Sequence, residues 1–285
     1  MVVRSPVATG FYPEVAGVCK AAVERHLKKA SQYQAQRKAI VAGIVPHAGW
    51  MYSGDTAAAV FASIKSRPDV FLLFGSVHIS GISSPAIMTE GSWETPLGEV
   101  EVDSDLAWGL LKVAGGLVVE NTEGHLMEHS IEVQVPFIQH LFPEAKIVPI
   151  MVPPIREACS LGKRAAEFIK GQGREVMTLG TSDLTHYGYR YGLHTMGSGK
   201  KALEWVKNIN DKRIIDLCLS MAQEEIVPEA TINYNACGPG ALAATVSYAR
   251  TLGVERGELL HYTTSYDVEP VGEPSDFVGY AAMIF

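Results

Sequence analysis

Long hydrophobic runs are missing from this 285-residue sequence: the longest uncharged apolar stretches, such as Val70–Phe74 and Ile147–Pro154, are strand-sized. A bilayer span needs roughly 18–20 such residues, so a membrane is not an expected partner. The stretch Met1–Gly10 also lacks the basic start and apolar continuation of a secretory signal, which points to a cytoplasmic address. Basic charge is scarce as well. With 31 acidic against 24 basic side chains, the formal net charge is −7, and no basic cluster is longer than His26-Leu27-Lys28-Lys29. That pattern gives no footprint for a phosphate backbone, so nucleic acid is excluded as an expected partner. Cysteine is sparse: Cys19, Cys159, Cys218 and Cys237 show no paired spacing in a chain large enough to fold without staples, which argues against disulfides. No repeat, low-complexity tract or Pro/Ser-rich linker divides the chain, so residues 1–285 read as one domain.

What is present is ample core material, 47% hydrophobic against 19% charged residues, in alternating strand-length and helix-length patterns. Strands are expected at Lys38–Val45, Asp69–Val77, Lys146–Val152 and Glu175–Gly180, with two closing strands at Leu259–Tyr266 and Phe277–Phe285. Helices are expected at Asp55–Lys65, Ser104–Val113, Glu128–Leu141, Arg156–Lys170, Lys200–Asn208, Asp211–Met221 and Gly238–Leu252. The alternation predicts a three-layer α/β fold with a central, largely buried sheet flanked by helices. The segment 267–276 between the closing strands reads as a turn rather than a lid.

In such sheets ligands bind beyond the carboxyl ends of the strands, so reactive side chains just after a strand carry most weight. His47, in Pro46-His47-Ala48-Gly49-Trp50-Met51-Tyr52-Ser53-Gly54, follows the first of them, and His78, in Gly75-Ser76-Val77-His78, follows the second. Two imidazoles at neighbouring strand ends can converge on a transition metal. Trp50 and Tyr52 of the first motif are candidates for ligand contact. Thr181-Ser182-Asp183-Leu184-Thr185-His186 follows another strand, and a helical turn there would set Asp183 beside His186 as a carboxylate-assisted general base. Cys237, in Asn235-Ala236-Cys237-Gly238-Pro239-Gly240, opens a helix whose dipole favours thiolate, and Gly238 and Gly240 leave room around the sulfur. Glu128, His129 and Glu132 at another expected helix start could bind metal or substrate. His26, His140, His194 and His261 lack such settings and read as structural.

Taken together and in this order, the motifs PHAGWMYSG (46–54), GSVH (75–78), EHSIEVQVPF (128–137), TSDLTHYG (181–188) and NACGPG (235–240) resemble the Memo family. The resemblance implies a fold similar to class III extradiol dioxygenases, with His47, His78 and Cys237 as metal ligands and His186, beside Asp183, as acid/base histidine. It implies one transition metal ion, Fe(II) first and Cu or Zn as alternatives, because a thiolate replaces the carboxylate of the dioxygenases. For prokaryotic members it further implies a radical SAM protein and an AMMECR-type protein as partners, and a small-molecule or peptide ligand is expected to be contacted by His129, Glu128, Trp50 and Tyr52. The expected activity is a metal-dependent oxidoreductase. The alternatives are a peptide- or partner-binding module using the same cleft, and a thiol hydrolase built on Cys237, His186 and Asp183.

Overall fold

The computed structural model describes residues 2–33, 35–36 and 39–285. Its first part runs β1 (Val3–Arg4), α1 (Ala16–Ala30), β2 (Ala42–Val45), α2 (Trp50–Ser63), β3 (Val70–Gly75), β4 (Ala86–Ile87), β5 (Ser92–Thr95), β6 (Gly98–Glu101), α3 (Ser104–Ala114), β7 (Val119–Glu120) and α4 (Thr122–His125). After these come α5 (Val135–Leu141), β8 (Lys146–Met151), α6 (Ala158–Lys170), β9 (Val176–Thr181), β10 (His186–Tyr187), α7 (Lys200–Trp205) and α8 (Asp211–Leu219). The chain closes with α9 (Gln223–Asn233), α10 (Pro239–Thr251), β11 (Glu258–Thr264), α11 (Ser265–Val268) and β12 (Phe277–Ile284).

The main sheet has the order β10-β12-β2-β9-β3-β8-β4-β7, with β11 alongside β12. Its centre is parallel: β2 pairs with β9, β9 with β3, and β3 with β8. Every residue of β2, β3 and β12 is buried, as a sheet covered on both faces requires. The pleat assigns the faces. Gly43 and Leu179 lie opposite each other in β2 and β9, and a Cβ on Gly43 would come 2.5 Å from Val60 of α2. The next pair, Ile44 and Gly180, points the other way, where a Cβ on Gly180 would meet Thr245 and Ala241 of α10. Hence α2 covers one face and carries α1, while α10 covers the other and carries α6.

The strand expected at Lys38–Val45 begins later, at Ala42, and Lys38 itself lies outside the described residues. The helix expected from Glu128 does not start there. Residues 128–129 have no regular structure, 130–131 form a turn, Glu132–Gln134 a 3₁₀ turn, and α5 begins at Val135, where Pro136 in the first turn costs no hydrogen bond. The helices expected at Lys200–Asn208 and Asp211–Met221 run together through a π-helical stretch, Val206–Asn210. The elements not expected from the sequence include α1, the β5–β6 hairpin and α9, whose interior Pro228 argues against a helix on sequence grounds. The expected strand Leu259–Tyr266 ends at Thr264, whose side chain caps α11 in a reciprocal box with Asp267.

Candidate metal centre

The carboxyl ends of β2, β3 and β9 lie side by side, and the site is assembled from the segments that leave them. His47, two residues beyond β2, is 2% exposed. Its Nδ1 lies 3.1 Å from the Thr181 hydroxyl at the end of β9, and its Nε2 lies 3.1 Å from the sulfur of Cys237. Burial and the neighbouring imidazoles of His78, His129 and His186 push its pKa well below the ordinary value, so the ring is neutral and keeps a lone pair.

His78, three residues beyond β3, has its Nδ1 3.0 Å from Oε1 of Glu128, and its backbone N–H donates to Oε2 of the same carboxylate. Burial pushes Glu128 up, but the hydrogen bonds from His78, His129 and Ser130 outweigh it and bring the carboxyl down to about 2. An ionised carboxylate only accepts, so Nδ1 of His78 carries the hydrogen and Nε2 is left toward the centre. Burial alone would lower the His78 pKa, yet Cys237 and Glu128 raise it to about 10, so without an ion the ring holds a proton on each nitrogen and a metal would take Nε2 by displacing one.

Cys237 precedes the N-cap of α10 by one residue. Its sulfur accepts the backbone N–H of Asp183 at 3.3 Å, and its own N–H donates to the Asp183 carbonyl at 3.1 Å. Contrary to expectation, the adjoining glycines do not open space around the sulfur. A Cβ on Gly238 would strike Ser76 and Thr181, and one on Gly240 would strike the Val152 and Pro153 carbonyls, so they let α10 seat against the strand ends.

Two overlapping sets of potential ligand atoms, each within 4.8 Å of one another, share His47: one adds His78 and His129, the other Asp183 and Cys237. The ring centres of His78 and His129 lie 5.0 and 5.8 Å from that of His47. The expected trio His47, His78 and Cys237 is split between the two sets, with His47 common to both, and the His47–Cys237 pair has the spacing of two ligands on a first-row transition ion. Bonds of about 2.3 Å to sulfur and about 2.0–2.1 Å to nitrogen separate two ligands of one ion by roughly 3.1–3.6 Å, which spans the observed Cys237–His47 distance.

The centre opens into a cleft of about 790 Å³ that His47, His78, His129, Asp183 and His186 border. Nδ1 of His186 donates to the Leu184 carbonyl at 3.0 Å, which leaves its Nε2 as an acceptor. Asp183 is 4% exposed and its Oδ1 accepts the N–H groups of His47 and Ala48; burial raises its pKa. The helical turn expected to join Asp183 and His186 is absent, because His186 opens strand β10 against β12. Among the described residues no hydrogen bond links His186 to Asp183 or to Cys237, so the Cys237–His186–Asp183 triad is not formed.

Of the residues expected to touch a ligand, Tyr52 and His129 border the cleft, Tyr52 with its hydroxyl 3.3 Å from Glu269. Trp50 and Glu128 do not. Trp50 is 4% exposed, packs on Phe137 and donates to the Val133 carbonyl, while the carboxylate of Glu128 is used up on His78 and two backbone N–H groups. Glu132, another candidate, turns inward to a fully buried ion pair with Arg4 at 2.7 Å. The segment read as a turn, 267–276, supplies a wall of the cleft through Glu269, Val271, Glu273, Ser275 and Asp276.

Several supporting residues had no sequence signal. Phe11 sets its ring, tilted, 4.6 Å from that of His129, and its carbonyl accepts the backbone N–H of Trp50. Arg4 donates to the carbonyls of His125 and Glu128, holding the turn that positions Glu128. Where the π-helical stretch meets α8, Asp211 accepts from the N–H and hydroxyl of Thr185, and Asn210 donates to the Thr185 hydroxyl and the Asn233 carbonyl. Asn235 donates back to the Asn210 carbonyl, so one buried network joins the His186 loop to the Cys237 loop.

A solved Escherichia coli K12 protein, JW3007, superposes with a TM-score of 0.49 at 13% identity, over 87% of this chain and all of that one. MEMO1 family proteins from Thermococcus kodakarensis and Thermococcus onnurineus are 37% and 36% identical to this chain, over 99% of each chain. One from Methanosarcina mazei is 34% identical over 100% of this chain and 99% of its own. The family described as Memo-like protein matches residues 4–284. With near full-length identity above one third and a profile spanning all five motifs, the chain belongs to the Memo family.

Proposed function

We propose that His47, His78 and Cys237 hold one transition ion, Fe(II) first and Cu or Zn as alternatives, and that the protein carries out metal-dependent oxidoreductase chemistry on a small organic substrate admitted by the main cleft. The observation that carries this reading is the sulfur of Cys237 lying 3.1 Å from a buried, neutral imidazole nitrogen. A thiolate with imidazoles is a soft donor set that favours first-row transition ions over Mg or Ca. When bound, the ion supplies Lewis acidity and one-electron chemistry. The protein's own groups do the rest. Nε2 of His186, free to accept, takes a proton from a substrate hydroxyl in the cleft; Asp183 fixes the backbone of His47 and Ala48; His129 and Tyr52 orient the substrate.

The binding-module reading draws support from the size of the cleft, but the carboxylates of Glu269, Glu273 and Asp276 along its wall oppose a phosphorylated ligand. We further infer that the chain works as one Memo-like domain in the cytoplasm, where its free cysteines stay reduced, with a radical SAM protein and an AMMECR-type protein as partners to be sought by co-purification.

The test is elemental analysis of protein purified without oxygen. The expected result is about one iron, copper or zinc per chain, lost in His47→Ala and in Cys237→Ala. Wild-type protein that stays metal-free after anaerobic Fe(II) loading overturns the proposal.

A further inference from the structure

A second cavity, of about 450 Å³, reaches the centre from another side. Leu184, Leu193, Ala230 and Ala236 form its apolar wall, and Tyr234, held in the left-handed conformation at φ 51°, stands at its border. His186 and Tyr191 border both cavities, their rings 5.2 Å apart and nearly perpendicular, so this pair is the partition between them. The half-buried Cys237 borders the second cavity alone, whereas His47, His78, His129 and Asp183 border only the main cleft.

The two chambers also differ in charge. The main cleft carries Asp183, Arg190, Glu269, Glu273 and Asp276, and among the described residues the second carries no carboxylate, ammonium or guanidinium. A charged molecule entering the second chamber would lose hydration without finding a partner, while an uncharged apolar one would lose nothing. We propose that the second chamber is a separate entrance to the sulfur side of the centre for a small, uncharged, mainly apolar molecule, with dioxygen the smallest of that class. The charged main cleft then takes the organic substrate from the histidine side. What the incoming molecule meets rests on the metal reading given above; the route itself does not.

The test follows alkylation of Cys237 by iodoacetamide in metal-free, full-length protein, read by mass spectrometry of the Cys237 peptide. Ala230→Phe and Leu193→Trp, each filling the second chamber, are expected to slow alkylation by about tenfold, and Val271→Trp, which narrows the main cleft, to leave it unchanged. Slowing by Val271→Trp alone, or equal rates in all variants, overturns the route. The wild-type protein gives an independent readout that does not depend on how the variants fold. Neutral iodoacetamide should outpace anionic iodoacetate by more than it does with free cysteine, and an unchanged ratio overturns the proposal. Iron uptake is measured separately, so failure of the metal centre and failure of the route are distinguishable.

Discussion

The Glu128 carboxylate grips His78 twice, accepting the ring Nδ1–H at 3.0 Å and the backbone N–H with its other oxygen. This fixes both the tautomer and the direction of the ring. Glu128→Gln keeps the shape but faces an amide against donors that need an acceptor. It is expected to weaken metal affinity by about 10–100-fold while the far-ultraviolet circular dichroism stays native. Calorimetric titration with Zn(II) checks this, and unchanged affinity would show that Glu128 does not govern the ring.

The Arg4–Glu132 pair should dominate the stability of the region beneath the site. Both side chains are fully buried, and Glu132 also accepts the N–H groups of Val7 and Ala8 and the hydroxyl of Tyr12. Arg4→Met strands that carboxylate without its countercharge and is expected to cost about 3–5 kcal/mol in urea unfolding. Adding Glu132→Gln should recover part of the loss. A double variant less stable than the sum of the two singles contradicts the pairing.

Asp211 should give the protein a pH dependence of distinct sign. Burial outweighs the hydrogen bonds from Thr185 and Tyr262 and pushes its carboxyl from the ordinary 3.8 up to about 7. Between those values the folded chain holds a proton that the unfolded chain has released, so this contribution to stability is full below 3.8 and is lost as pH rises through about 7. Asp211→Asn mimics the protonated form. Its urea midpoint relative to wild type should therefore rise between about pH 4 and about pH 8, and a difference that stays flat removes Asp211 as the titrating group.

The strand-end placement of His47 and His78 was legible because β2 and β3 are continuous apolar runs and each histidine follows its strand within three residues. Cys237 was legible from its place just before a helix, although its glycines serve packing and not access. Trp50 and Glu128 were misread for one reason: a motif shows that residues cluster, but not which way each side chain turns. Trp50 faces Phe137 in the core, and Glu128 faces back into its own turn. Phe11, Arg4 and Asp211 were invisible, since their partners lie far away in sequence, 121 and 124 residues away for two of the carbonyls that Arg4 holds. The π-helical stretch escaped as well, because Val206–Asn210 holds no Pro or Gly to mark the irregularity.

The position of β12 has a consequence for biogenesis. It pairs with β2 on one edge and with β10 and β11 on the other, so the strand carrying His186 joins the sheet that carries His47 only through residues 277–284. On a ribosome this closing strand leaves the exit tunnel long after the first histidine has been made. Until then the nascent polypeptide lacks the strand against which His186 is held, so this wall of the cleft forms only after residues 277–284 have been made.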